Sequence, residues 1–433
     1  MKKTVCMLLG ICMILCALLS GCAAERSSSL SAEFPTIEPL WRNTESRETQ
    51  PPETEPTETE PAPPTETEPE PETVPPPVLD DAAIQDMVDY VASQYGAVGL
   101  QVAVVDNGQI AGLYATGWAT KNETPMTPEH KLRVASISKI IIGLAAMKLQ
   151  DQGILSLGSD ISPYWDITAR NPKCPDVPIT IDCLLTHTST VTPYANDGPM
   201  DYNTVRDRLT YGYGYGTPGD IGSWGYNNYA FRLLGMTLEL AANQSLDEYL
   251  KENLFSQMGI DAGFYPGDLQ NTELLATLYW ESNYAARSLQ EQMNMHAPGT
   301  PGADGFHYSG GLTISAAELA KIMTLLINDG VYDGQAIVSS VAVAQMEECL
   351  PYRLYDGTYQ ARPMSYIPEL YGREGIYFHT GSGWGVYNCF SYDPITGDGV
   401  VVLTNGASGG SNSYGIYMVC DAINEYVYDL ISN

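Results

Sequence analysis

Strand-like text stands at both ends of the region that follows residue 79, with a long helix-like stretch between, and few folds satisfy that order. Val98–Val105 is an apolar, β-branched run, Asp106-Asn107-Gly108 supplies a turn, and Gln109–Trp118 reads as the returning strand of an antiparallel hairpin. Far downstream, Gly375–His379, Gly385–Tyr392 and Gly399–Thr404 read as three more short strands, giving five. Ala82–Gln94 and Tyr414–Ile431 read as helices beside them. If both chain ends share one sheet, residues 136 to 350 must pack on it as helices or sit beside it as an inserted lobe. Roughly 350 residues also exceed what one core usually covers, which predicts two lobes.

Nothing before residue 79 belongs to that fold. Lys2-Lys3 precede an apolar run of 15 residues from Val5 to Leu19. That is shorter than the ~20 residues of a membrane span and within the ~7 to 15 of a secretory signal core. Leu19-Ser20-Gly21-Cys22 resembles a bacterial lipobox, so residues 1–22 read as a lipoprotein signal with Cys22 as the lipidation site. Plain cleavage after Ala23 or Ala24 is the alternative. The expected location is extracytoplasmic, lipid-anchored to the cell membrane. Residues 23–78, dominated by Glu, Pro, Thr and Ser, cannot bury enough apolar surface to fold and read as a disordered tether. The 33 residues from Glu45 to Pro77 would reach about 100 Å at ~3.1 Å each. Residues 79–433 are the folded domain.

The net charge of -31 repels nucleic acid and anionic headgroups, which excludes both as partners; it says nothing specific about a substrate. Outside the leader and Cys22 the cysteines are Cys174, Cys183, Cys349, Cys389 and Cys420. An odd number argues against a full disulfide framework, although Cys174 and Cys183 are close enough in sequence to pair. With no Cys-x-x-Cys, no His-x-x-x-His and five scattered histidines, neither a metal nor a cofactor is expected.

The chemistry sits in three short motifs. Ser136-Ile137-Ser138-Lys139 opens the apolar run Ile140–Met147, placing a hydroxyl and an amine one helical turn apart. A serine becomes nucleophilic when a neighbouring base takes its proton, and Lys139 is that candidate base. Tyr226-Asn227-Asn228 follows, and then His379-Thr380-Gly381 between strand-like runs. In this order the three resemble the Ser-x-x-Lys, Tyr/Ser-x-Asn and Lys/His-Thr-Gly set of the penicillin-recognising serine hydrolases. The flanking text is similar to the subgroup of class C β-lactamases, D,D-carboxypeptidases and related esterases. Leu184–Ser189, Pro218-Gly219 and Ser309–Ser315 carry the same resemblance, which covers about residues 82 to 432.

The resemblance implies an α+β fold, a five-stranded antiparallel sheet with helices on both faces plus a mostly helical lobe, the active site lying between. It implies Ser136 as nucleophile, Lys139 as proton acceptor and Tyr226 as relay, its phenol depressed by Lys139 and His379. Asn228 would bind Lys139 and substrate, Thr380 and Ser382 a substrate carboxylate. Gly381 would admit substrate backbone, and the N–H groups of Ser136 and Ser382 would form the oxyanion hole. His379 replaces the lysine of class C β-lactamases; at an ordinary pKa near 6.5 its attraction for a carboxylate should fade from about pH 6 to 8. His187 reads as a structural loop residue, while Tyr211, Tyr213 and Tyr215 either stack on substrate or pack. The expected function is that of a surface-anchored serine hydrolase, foremost a D-alanyl-D-alanine carboxypeptidase of the cell wall. Its partners would be peptidoglycan peptides or D-alanyl esters, with β-lactams as acylating ligands. An esterase, a transpeptidase and a class C-like β-lactamase are alternatives, and a wall-binding scaffold is the non-enzymatic one.

Overall fold

The computed structural model describes residues 79–193, 200–281 and 284–431. The leader, Cys22 and the tether lie outside the described residues. The domain opens with helix α1 (Asp81–Gln94), whose N-terminus is capped by Asp80 accepting from Ala83 N at 3.0 Å. Strands β1 (Gly99–Asp106) and β2 (Gln109–Thr120) form the expected hairpin, with Asn107 and Gly108 both at positive φ in its turn. β3 (Thr124–Pro125) pairs with β2. The chain returns to the sheet with β4 (Tyr359–Gln360), β5 (Ser365–Ile367), β6 (Ile376–Gly383), β7 (Val386–Asp393) and β8 (Asp398–Asn405).

Among the described residues the sheet has eight strands, in the order β4-β5-β6-β7-β8-β1-β2-β3, not five. The expected five form its continuous middle. The three additions are two or three residues long and sit toward the two edges, too short to show an alternation that sequence can register. β8 pairs antiparallel with β1, from Gly99 opposite Asn405 to Val105 opposite Gly399, so the two chain ends do close one sheet.

Alternation along β1 assigns its two faces. Val102 and Val104 pack with Ile84 and Val88 of α1 and with Ile423 and Val427 of α5 (Met418–Leu430). Ala103 and Val105 face the larger core, which contains α2 (Ser138–Asp151), α3 (Asn228–Ala242) and α4 (Ala316–Ile327). Helices therefore cover both faces. α2 is buried on nearly every side, which explains its unbroken apolar run and gives the residues at its N-terminus a rigid seat. All five described cysteines are free, so Cys174 and Cys183 do not pair.

Candidate active site

Ser136 lies in a single 3-10 turn, Ala135–Ile137, that leads directly into α2. Ala135 adopts a φ of +50°, an uncommon value for a residue with a side chain, and the turn is held there by Ser138. The Ser138 hydroxyl donates to Ala135 O at 2.6 Å and accepts from Leu312 N at 3.0 Å. Both roles of that hydroxyl are used, so Ser138 is a clamp and Ser136 keeps the free hydroxyl.

Lys139 is fully buried. Its Nζ lies 3.1 Å from Ser136 Oγ, 2.8 Å from Asn228 Oδ1 and 2.7 Å from Ser309 O. Two of those neighbours are carbonyl oxygens, which can only accept. A neutral amine donates its two N–H bonds to them and turns its lone pair to Ser136. Burial, reinforced by the charge of Arg232, holds Lys139 well below its ordinary pKa, which favours that neutral form. Arg232 is fixed in turn by donating to Ser309 Oγ at 3.2 Å and by stacking over Phe306. Sequence reasoning assigned no chemistry to Ser309 or Arg232. The Ser309-Gly310-Gly311 text carries a family resemblance but no sign of this role.

Asn227, between the two motif residues, caps α3 by accepting from Ala230 N at 3.2 Å and donates to Val191 O at 2.7 Å. That leaves Asn228, the first residue of α3, to reach Lys139. His187 accepts from Asn227 N through Nδ1 at 3.1 Å and packs on Tyr226 and Phe231, the structural place expected for it. The Tyr226 ring stands 5.0 Å from Lys139 Nζ and opens to the cleft. Its phenol is not depressed as expected. Desolvation pushes it well above its ordinary value, and a hydrogen bond with Ser136 only partly offsets this. Tyr226 is thus a protonated phenol, suited to passing a proton rather than to acting as a phenolate.

The expectation for His379 also changes. Its Nδ1 donates to Thr380 O at 2.7 Å, and burial together with Lys139 pushes its pKa down to about 3, so it is neutral across the physiological range and offers the cleft an acceptor, Nε2. Gly381 serves packing: a Cβ there would stand 2.2 Å from Val134 O and 3.3 Å from Ser136 N. Only glycine lets β6 press against the turn that carries the nucleophile. Thr380 and Ser382 line a cleft of about 370 Å³ together with Ser136, Tyr226, Asn228 and His379. Tyr211, Tyr213 and Tyr215 are not among its walls; Tyr213 donates to Leu209 O, and Tyr215 stacks under Lys173.

A family model described as Beta-lactamase matches residues 81–417. The chain belongs to the β-lactamase family. Within that family, penicillin-binding protein 4 of Amycolatopsis lactamdurans is 24% identical over 343 residues, covering 76% of this chain and 86% of that protein. The D-alanyl-D-alanine-carboxypeptidase/endopeptidase AmpH of Escherichia coli is 27% identical over 214 residues, covering 46% of this chain and 54% of AmpH. The class C beta lactamase of Rhodobacter sphaeroides has the same fold, with a TM-score of 0.63 at 21% identity over 81% of this chain and 98% of that one. This β-lactamase-family chain is accordingly a serine hydrolase of the D,D-peptidase and β-lactamase type. Ser136, Lys139, Tyr226, Asn228 and His379 all fall inside the matched span.

Proposed function

We propose that the protein hydrolyses D-alanyl linkages of the cell wall through an acyl-enzyme on Ser136. One observation carries the reading: a buried, neutral-leaning Lys139 whose two N–H bonds are claimed by the carbonyls of Asn228 and Ser309, leaving its lone pair to the Ser136 hydroxyl. In the first step the Ser136 proton moves to Lys139 as Oγ bonds to the substrate carbonyl carbon. The resulting oxyanion is met by the backbone N–H groups of Ser136 and Ser382. Collapse breaks the bond to the leaving amine or alcohol, which takes the proton from Lys139 by way of Tyr226. Water then bonds to the acyl carbon, its proton passing through Tyr226 and Lys139 to Ser136 Oγ as the C–Oγ bond breaks, which releases the acid with Ser136 restored.

The D,D-carboxypeptidase reading draws support from AmpH, whose name carries that activity. The ester reading is favoured by a different observation. His379 is neutral, and the described residues that line the cleft include no arginine or lysine to hold a terminal carboxylate. Anchoring at Cys22, with the acidic tether as spacer, completes the proposal and places the hydrolase at the outer face of the membrane. Turnover of a D-Ala-D-Ala peptide, a D-alanyl ester and a penicillin, each compared between wild type and Ser136→Ala, tests the assignment. Hydrolysis of none, or hydrolysis that survives the substitution, overturns it.

A further inference from the structure

We infer that the Ser136 cleft contains an ammonium subsite at Asp356, and that the hydrolase is built for amine-bearing substrates. The inference rests on the acyl-transfer reading above and narrows its substrate class. Among the described residues that line the cleft, Asp356 is the one carboxylate, and no lysine or arginine is present. Its Oδ1 accepts from Thr358 N at 3.0 Å and from Thr358 Oγ1 at 2.8 Å, which orients the carboxylate and keeps Oδ2 out of that turn's hydrogen bonds. Trp224 and Tyr355 stand beside it with ring centroids 6.3 Å apart and planes at 62°. The Trp224 indole is fixed by donating to Gln360 Oε1 at 2.9 Å. Tyr226, Tyr414 and Tyr417 add further aromatic surface to the same walls.

A carboxylate among aromatic faces attracts a cation and repels an anion. No cationic side chain among the described cleft-lining residues reverses that sign. The arginines around the cleft are turned elsewhere: Arg353, three residues before Asp356, lies 5.6 Å from the Tyr359 ring, Arg133 and Arg287 lie 3.9 and 4.3 Å from the Trp384 ring, and none of the three lines the cleft. Lys139 is buried behind Ser136 and His379 is neutral. A substrate with a free terminal carboxylate would meet an acid and no counter-ion, whereas an ammonium meets an acid and a partial aromatic box. The fitting class is an ester or amide that carries a free amine on its acyl or its leaving group.

Two matched pairs of chromogenic esters test this: a D-alanyl ester against its N-acetyl form, and an acetyl ester with an ammonium in the leaving group against its neutral isostere. In wild type the ammonium member of at least one pair should be favoured in kcat/KM by about tenfold, the scale of a partly exposed ion pair joined to a cation–π contact. Asp356→Asn keeps the Oδ1 acceptor for Thr358 and removes the charge, so the preference should fall toward unity. Tyr355→Ala, at a residue 92% exposed and therefore safe for folding, should lower it in the same direction. Equal kcat/KM within both pairs in wild type, or a preference unmoved by Asp356→Asn, overturns the inference. Failure to acylate Ser136 with any of the four esters is a distinct outcome that would overturn the acyl-transfer reading itself.

Discussion

Replacing Gly381 with alanine perturbs the site at its most constrained contact. The added Cβ would fall 2.2 Å from Val134 O and 3.3 Å from Ser136 N, and both are backbone atoms that cannot rotate away. Strand β6 and the Ser136 turn must then part by about 1 Å, an overpacking that costs ~1–3 kcal/mol. For a domain of this size that lowers Tm by about 1 to 4 °C, leaving the enzyme folded at 25 °C. Catalysis should suffer far more. The same 1 Å separates the Ser136 N–H and the β6 edge that must grip one oxyanion, and such a misplacement costs on the order of 100-fold in rate. The assay is kcat/KM on a neutral chromogenic ester with Tm measured in parallel. Gly225→Ala serves as control, because a Cβ there meets nothing within 4 Å although Tyr226 is its neighbour; its rate should stay within about twofold. If Gly381→Ala keeps its rate within about threefold while the control behaves, the nucleophile does not depend on the packing of β6 against its turn, and the reasoning fails.

Lys139→Ala should lower the acylation rate by on the order of 100-fold or more, the usual scale for a general base, as read by stopped-flow on the same ester. His379, pushed down to about 3 and therefore uncharged, should leave no titration between pH 6 and 8 in kcat/KM for neutral esters; an inflection in that window that vanishes in His379→Gln would contradict it. His379→Lys should improve turnover of carboxylate-bearing substrates relative to neutral ones, seen in the ratio of their kcat/KM values. Cys22→Ser should shift the enzyme from membranes to the medium on fractionation, and unchanged partitioning would point to another anchor.

The middle of the sheet and the nucleophile helix were readable because their signals are long. β1 and β8 are eight residues long around unbroken apolar runs, Val102–Val105 and Val400–Leu403, and α2 is apolar for two turns behind Ser136. The strands toward the edges, Thr124–Pro125 and Tyr359–Gln360 among them, were not, since two residues cannot display a period. Ser136, Lys139, Tyr226, Asn228 and His379 meet at one cleft as the family resemblance implies, but their charge states differ from the ordinary ones. Ordinary pKa values describe exposed groups, and sequence gives no measure of the burial that neutralises His379, lowers Lys139 and raises Tyr226. Gly381 illustrates the same limit. Its need for glycine comes from Val134, far away in the chain and against it in space. The acceptor role of the Ser309 carbonyl was equally hidden, because a backbone oxygen has no sequence signature.

The central claim is a covalent bond at one atom, Ser136 Oγ, and intact-protein mass spectrometry under rapid acid quench tests it most directly. With a slowly deacylated ester or a β-lactam, the wild type should gain one acyl mass, mapped by peptide sequencing to Ser136. Lys139→Ala should gain it far more slowly, and Ser136→Ala should gain none. An adduct that persists in Ser136→Ala, or maps to Ser138 or Tyr226, would contradict the account.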